Sequence, residues 1–152
     1  MSGSLSHAPS QIVRQLLIDL GLGADGGSTW PVYAEQEPDS PDACITVYET
    51  AGVGRGRFQQ SGGVQVLYGI QVRVRAANAQ KARTKADDVL YSLTQEVYQD
   101  VVAVTDDEGY GTGSSSYTFC NISYRSGPLP VLDPNSNRGV YTLNMLANLK
   151  EN

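Results

Sequence analysis

The alternation of apolar and polar residues is most regular between Val64 and Ala76, in the stretch VQVLYGIQVRVRA. Its even positions are apolar or aromatic, whereas its odd positions become polar and then basic. A period of two predicts a half-buried strand, because successive side chains leave opposite faces of a sheet. We therefore expect a long central strand, about 40 Å if fully extended. Its even face should lie on the core, and its odd face, with Gln71, Arg73 and Arg75, should meet water or a partner.

Two segments have helical periodicity instead. The first runs from Ala8 or Pro9 to Leu20, and its apolar residues form one stripe. The second runs over residues 79–98, with Asn78 as its cap and apolar residues at helical spacing from Ala82 onwards. Each helix has one apolar face that must be covered, and the predicted sheet is available to cover both.

The remaining strands are predicted from shorter alternating or β-branched runs. They are a short edge piece at 30–33, where Pro31 favours an edge, and the segments 44–50, 101–105, 117–125 and 140–149. The resulting order of helix, strands, helix, strands predicts one α+β domain over residues 1–152. We expect a mostly antiparallel β-sheet with both α-helices packed on one face.

Glycine and proline mark the connections between these elements. The segment 51–63, AGVGRGRFQQSGG, contains five glycines and predicts the long, mobile tip of an antiparallel hairpin. Residues 126–139 are predicted to be a proline-rich connection, and residues 1–7 a flexible N-terminus.

Charge and hydropathy narrow the classes of function. A net charge of -5 argues against nucleic-acid binding as the main task, since such binding relies on lysine and arginine. No apolar run approaches the roughly 20 residues of a membrane span. The first ten residues, MSGSLSHAPS, lack the basic and apolar regions of a signal peptide. Cys44 and Cys120 fall in predicted strands, where buried thiols are favoured over the alternative of a disulfide.

Candidate catalytic and metal-binding residues are few. His7 is the only histidine, so the usual Ser-His-Asp and Cys-His arrangements are not expected. The glycines of residues 52–56 precede a strand rather than a helix, which does not fit a dinucleotide-binding fingerprint. The acidic residues of 35–42 and 106–108 lack the fixed spacing of a calcium loop and are read as solvated loops. We predict a protein that is not an enzyme and has no cofactor or metal.

Four segments together resemble a known family. They are the strand YGIQVRVRA, the helix AQKARTKADDVLYSL, the segment GPLP and the final strand VYTLNM. With the N-terminal helix and the glycine-rich hairpin, this layout resembles the tail terminator proteins of long-tailed bacteriophages, often described as minor capsid or tail completion proteins. The resemblance spans residues 8–149, and it lies in the pattern of elements rather than in any single signature residue.

The resemblance implies a structural virion protein. Its subunits would form a hexameric ring at the head-proximal end of the tail, cap the tail tube, end its polymerisation and provide the surface for head–tail joining. Assembly would take place in the host cytoplasm, with the tail tube protein and head–tail connector or neck proteins as partners and no membrane. Two alternatives stay open: another connector or neck subunit, and a small ligand-binding α+β domain.

Two surfaces are candidates for these contacts. The first is the polar face with Gln71, Arg73 and Arg75, which the acidic loops of a neighbouring subunit would meet; a solvated face is the alternative. The second is the hairpin tip with Arg55, Arg57 and Phe58, which would become ordered on the tail tube or a neck protein. Non-specific proximity of these arginines to DNA in the tail channel, or simple flexibility, explains them equally well.

Overall fold

The helices and strands follow the predicted order closely. The structure, a computed structural model, describes residues 5–57, 59–60, 64–98, 100–105, 114–132 and 137–152, with residues 55, 57, 64 and 65 described by their backbone alone. The elements are α1 (Pro9–Asp19), β1 (Val32–Ala34), β2 (Cys44–Arg57), β3 (Val64–Ala76), α2 (Ala79–Tyr91), a π-helical turn (Ser92–Glu96), β4 (Val101–Val104), β5 (Ser115–Pro130) and β6 (Gly139–Glu151).

These strands form a six-stranded sheet in the order β1-β2-β3-β6-β5-β4. Only the β1–β2 pair is parallel; β2–β3, β3–β6, β6–β5 and β5–β4 are antiparallel. The predicted central strand is indeed internal, since Val72 of β3 lies between Val47 of β2 and Leu143 of β6. The predicted α+β class, with a mostly antiparallel sheet, is confirmed.

The core lies between the two helices and one face of the sheet. The even positions of β3 that bury most completely are Ile70, Val72, Val74 and Ala76. The helices contribute the apolar stripes that their periodicity predicted: Ile12, Val13, Leu16 and Leu17 from α1, and Ala82, Ala86 and Val89 from α2. At about 0.8 kcal/mol for each buried CH₂ group, this layer dominates the stability of the fold.

The second helix ends earlier than predicted. Asn78 caps its start, because its side-chain oxygen accepts a hydrogen bond from the Lys81 N–H at 2.9 Å. The α-helix stops at Tyr91, however, and the chain continues as the π-helical turn, closed by the Val97 N–H on the Ser92 carbonyl at 3.2 Å. A continuous α-helix to residue 98 was therefore wrong. Apolar spacing carries on through this wider turn and does not mark the change.

Two strands extend into segments that we predicted to be loops. Residues 51–57 belong to β2 and pair with β3, so the loop predicted for 51–63 begins later. Residues 126–130 belong to β5 and pair with β6. In both strands β-bulges interrupt the register, which is how the sheet accommodates glycine and proline there. Residues 58 and 61–63 lie outside the described residues, and the mobility predicted for the tip stays a prediction.

The end of the predicted flexible N-terminus is packed against the body. His7 is buried, and its Nδ1 lies 2.6 Å from the hydroxyl oxygen of Tyr117. Ser6 donates to the carboxylate of Glu151 twice, from its backbone N–H at 2.8 Å and from its hydroxyl at 3.0 Å. Flexibility was therefore the wrong prediction for Ser6 and His7. In the parts of the chain that the structure describes, no helix is long and apolar enough to cross a membrane.

Candidate assembly surface

The face of the sheet opposite the helices is polar. Gln71 of β3 donates from Nε2 to Oδ1 of Asn144 on β6 at 3.2 Å, and Nδ2 of Asn144 donates to the hydroxyl of Ser126 on β5 at 3.1 Å. This row of half-buried amides and a hydroxyl crosses three strands. Gln71 therefore lies on the predicted polar face, but its side chain already has a partner within the chain.

Arg75, on the same face, is almost completely buried, with 4% of its surface exposed. Its Nε donates to the Asp42 carbonyl at 3.2 Å, and its Nη2 donates to the Pro41 carbonyl at 2.8 Å. Its Nη1 also lies 3.6 Å from Oε2 of Glu37. Burying a guanidinium requires such partners, because an unpaired buried charge is costly.

The partners of Arg75 belong to residues 35–43, which we call the acidic strap. The strap crosses the polar face, where Oε1 of Glu37 lies 3.2 Å from Nε of Arg73. From the other side Arg138 binds it, with Nη2 on the Asp39 carbonyl at 2.6 Å and Nε 2.8 Å from Oδ1 of Asp42. The acidic loop and basic strand that we expected to meet between neighbouring subunits thus meet within one chain.

The contact between Glu37 and Arg73 is an ion pair without an aligned hydrogen bond. The two facing atoms are 3.2 Å apart, yet neither has a hydrogen-bond partner among the described residues. Their attraction is therefore Coulombic, and it is strengthened by partial burial, which keeps water and its screening away. Sequence reasoning missed Glu37 and Arg138 as partners. The only signal was the alternation of acidic residues with prolines in the strap.

The two cysteines differ in environment. Cys44 is buried on β2 near the strap, and burial raises the pKa of its thiol. Cys120 is exposed on β5. Both are free thiols, as favoured from the sequence, and β3 and β6 separate their strands. The expectation that both are buried holds for Cys44 and is wrong for Cys120.

At one end of the sheet β2 and β3 continue together as a two-stranded ribbon. The pairing of β3 with β6 ends at Tyr68, whereas its pairing with β2 continues to Val64 opposite Arg57. The ribbon contains the backbone of Arg55 and Arg57, two of the predicted contact residues; their side chains, and the whole of Phe58, lie outside the described residues.

A groove beside the start of α2 is the largest concavity that we find among the described residues, at about 560 Å³. Its wall includes Trp30 and Lys85, whose Nζ lies 5.1 Å from the centre of the indole ring. Burial lowers the pKa of Lys85, an effect that nearby Asp88 opposes. In the described ranges no group of three or more His, Cys, Asp or Glu side chains is placed to hold a metal ion.

Comparison with known proteins addresses the family directly. Residues 16–151 match the model of a family described as bacteriophage tail terminator protein. A search of curated proteins found no match. The matched range runs from within α1 to the end of β6 and so includes the whole sheet and the second helix. The chain therefore belongs to the bacteriophage tail terminator family and is a structural component of a phage tail.

Proposed function

We propose that this protein forms a ring that caps the phage tail tube, ends its polymerisation and offers the surface to which the head joins. The observation that carries the proposal is the family match over residues 16–151. The ring is a homo-hexamer at the head-proximal end of the tail, assembled in the host cytoplasm. Its partners are the tail tube protein on one side and connector or neck proteins on the other.

The ribbon of β2 and β3 supports contact with another tail protein. It extends past the point at which β6 stops pairing with β3, and it leads to the predicted contact residues Arg55, Arg57 and Phe58. A two-stranded ribbon alone is marginally stable in water, so an additional surface against which it packs would stabilise it. The tube protein or a neck protein supplies that surface.

The polar face supports the architecture of the subunit. Arg73 and Arg75 hold the acidic strap on the sheet, and Gln71 joins the row of amides across β3 and β6. In the ring these residues keep the strap in one position, so that its outer surface is presented to the neighbouring subunit.

Native mass spectrometry tests the ring. The purified protein is measured alone and then after mixing with its tail tube protein. A closed species of about six subunits, alone or on tube ends, is the expected result for a closed ring. A monomer at every concentration that ignores the tube protein overturns the proposal. A ring that binds only neck proteins indicates a different connector subunit.

Shortening the ribbon tests its role in capping. Gly54 and Val66 face each other across β2 and β3, so residues 55–65 can be replaced by an Asn-Gly turn that keeps this pair. The shortened protein is expected to fold normally, as judged by circular dichroism, and to leave tube growth uncapped. Gly54→Ala, at an open position, is the matched control. Normal capping by the shortened protein would exclude the ribbon as the contact.

A further inference from the structure

The sheet has an open edge on each side. On one side β1 pairs with β2 only at residues 45–47, and the Glu49 N–H is then bound by the Glu35 side chain at 2.7 Å. On the other side β4 pairs with β5 only at residues 115–118. In the described part of the chain, no strand pairs with the outer edge of residues 48–57 or of residues 120–130.

These edges lack most of the features that usually prevent pairing with another chain. Lysine is a common protective residue on edge strands, but neither open stretch contains one. Instead, apolar side chains are exposed: Val53 (37%) on β2, and Tyr124 (50%) and Leu129 (49%) on β5. Bulges do interrupt β5, yet residues 121–124 between them keep a regular register with β6. That stretch can still accept another strand.

The directions of the two edge strands are compatible with each other. β2 is antiparallel to β3, β3 to β6, and β6 to β5, so β2 and β5 run in opposite directions in the sheet. A second copy placed beside the first, with the same face forward, would therefore continue the antiparallel alternation. The two edges are different surfaces, and a contact between different surfaces generates a ring when the rotation closes.

The charges of the two edges are also complementary. Glu49 on β2 is exposed and acidic, and Arg125 on β5 is exposed and basic. Glu49 pairs with Ile70, Ile70 with Met145, and Met145 with Tyr124, so Glu49 and Arg125 lie at nearly the same height on opposite sides of the sheet. Side-by-side copies would bring these opposite charges towards each other.

We propose that the open edge of β2, residues 48–54, pairs with the open edge of β5, residues 120–125, in a second copy of this chain. The sheet then continues from subunit to subunit around the ring. This inference rests on the ring of the proposed function and names the surface that closes it. Backbone hydrogen bonds supply the pairing, as in other strand additions to a sheet edge, and Glu49 and Arg125 set which edges meet.

Hydrogen–deuterium exchange, followed by mass spectrometry on assembled and monomeric protein, measures the pairing directly. On assembly, the amides of residues 48–54 and 120–125 are expected to exchange at least about tenfold more slowly, since exchange then requires an opening of the new ladder. A ring whose edge amides exchange as fast as those of the monomer overturns this inference and leaves the ring intact. A protein that never assembles overturns both.

Exchanging the charges tests the choice of edges. Glu49→Arg or Arg125→Glu alone is expected to weaken assembly about tenfold through like-charge repulsion, and the double exchange to restore it. Arg83→Glu on the exposed side of α2 is the control, because Arg83 belongs to a helix-surface ion pair with Asp87. Circular dichroism and thermal unfolding of each variant confirm the monomer fold. Weakening without restoration, or no weakening at all, overturns the proposed edge contact.

Discussion

At the scale of single residues, Arg75 shows how a residue that looks like surface becomes structural. It occupies a polar position in an alternating strand, yet it is buried and contacts three residues of the acidic strap. Two of its contacts are with backbone carbonyls, which no pattern of side chains in the sequence can indicate. Arg75 is therefore expected to contribute more to stability than its neighbour Arg73.

Arg75→Met should lower the free energy of unfolding by about 3 kcal/mol, because the buried Glu37 carboxylate and two strap carbonyls lose a partner. Urea denaturation followed by circular dichroism measures the change. Arg83→Met, which removes an exposed ion pair with Asp87, should change stability by less than about 0.5 kcal/mol. Equal effects of the two substitutions would show that the strap is not held by Arg75.

Glu151 gives the fold a dependence on acid. Hydrogen bonds from Ser6, first from its backbone N–H, lower the pKa of this carboxyl below its usual 4.5. A lowered folded-state pKa stabilises the protein above the unfolded pKa, and this contribution is lost as pH falls through the folded pKa. The melting temperature of wild type should therefore exceed that of Glu151→Gln at pH 7, and the difference should shrink below pH about 4. A constant difference across this range would contradict the assignment.

At the scale of elements, the ribbon begins at a close contact between two backbones. A Cβ atom on Gly69 would lie 2.5 Å from the Ala51 carbonyl oxygen, and one on Gly52 would lie 2.4 Å from the Leu67 carbonyl oxygen. The β-bulge between Thr50 and Val53 is at the same place. Glycine at 52 and 69 is thus required by the approach of β2 to β3.

Gly69→Ala should lower the free energy of unfolding by about 2 kcal/mol, because the new methyl group forces the two strands apart. Gly54→Ala is the matched control: its Cβ would meet nothing within 4 Å, and its stability should stay near that of wild type. Thermal unfolding of the two variants side by side makes the comparison. Two variants of equal stability would mean that the strands separate at little cost.

Sequence periodicity was reliable where one face of an element is buried. The alternation of β3 and the apolar stripes of α1 and α2 reflect burial, so they predicted these elements and the α+β class. It failed where the register is irregular. Glycine in 51–57 and proline in 126–130 usually end a strand, but bulges let both strands continue. Whether a bulge or a loop forms depends on pairing with a distant strand.

At the scale of the whole molecule, the sheet is covered unequally. The two helices cover one face, whereas the acidic strap covers only part of the other. The candidate surface could be predicted only in part: alternation placed Gln71, Arg73 and Arg75 on the polar face. Their partners lie some 30 or more residues away and are brought there by the fold. The open edges of β2 and β5 follow from strand order, which local sequence patterns do not determine.

The two thiols should report on folding and assembly separately. A maleimide reagent is expected to modify Cys120 in the folded monomer, because it is exposed, and Cys44 only after unfolding, because it is buried and its thiol pKa is raised. In the ring, modification of Cys120 should slow, since it lies on the open edge of β5. Mass spectrometry of the labelled peptides gives both rates. Rapid labelling of Cys44 in the native protein would contradict the burial described for it.

The hydrogen bonds between Ser6 and Glu151 place the two ends of the described chain side by side. A short Gly-Ser linker could therefore join residue 152 to residue 5 without crossing the molecule. New termini could then be opened at residues 59–60, between β2 and β3. Such a circular permutant would keep every strand of the sheet while turning the ribbon into two free arms, and it would offer an attachment point for a label where the wild-type chain has a closed turn.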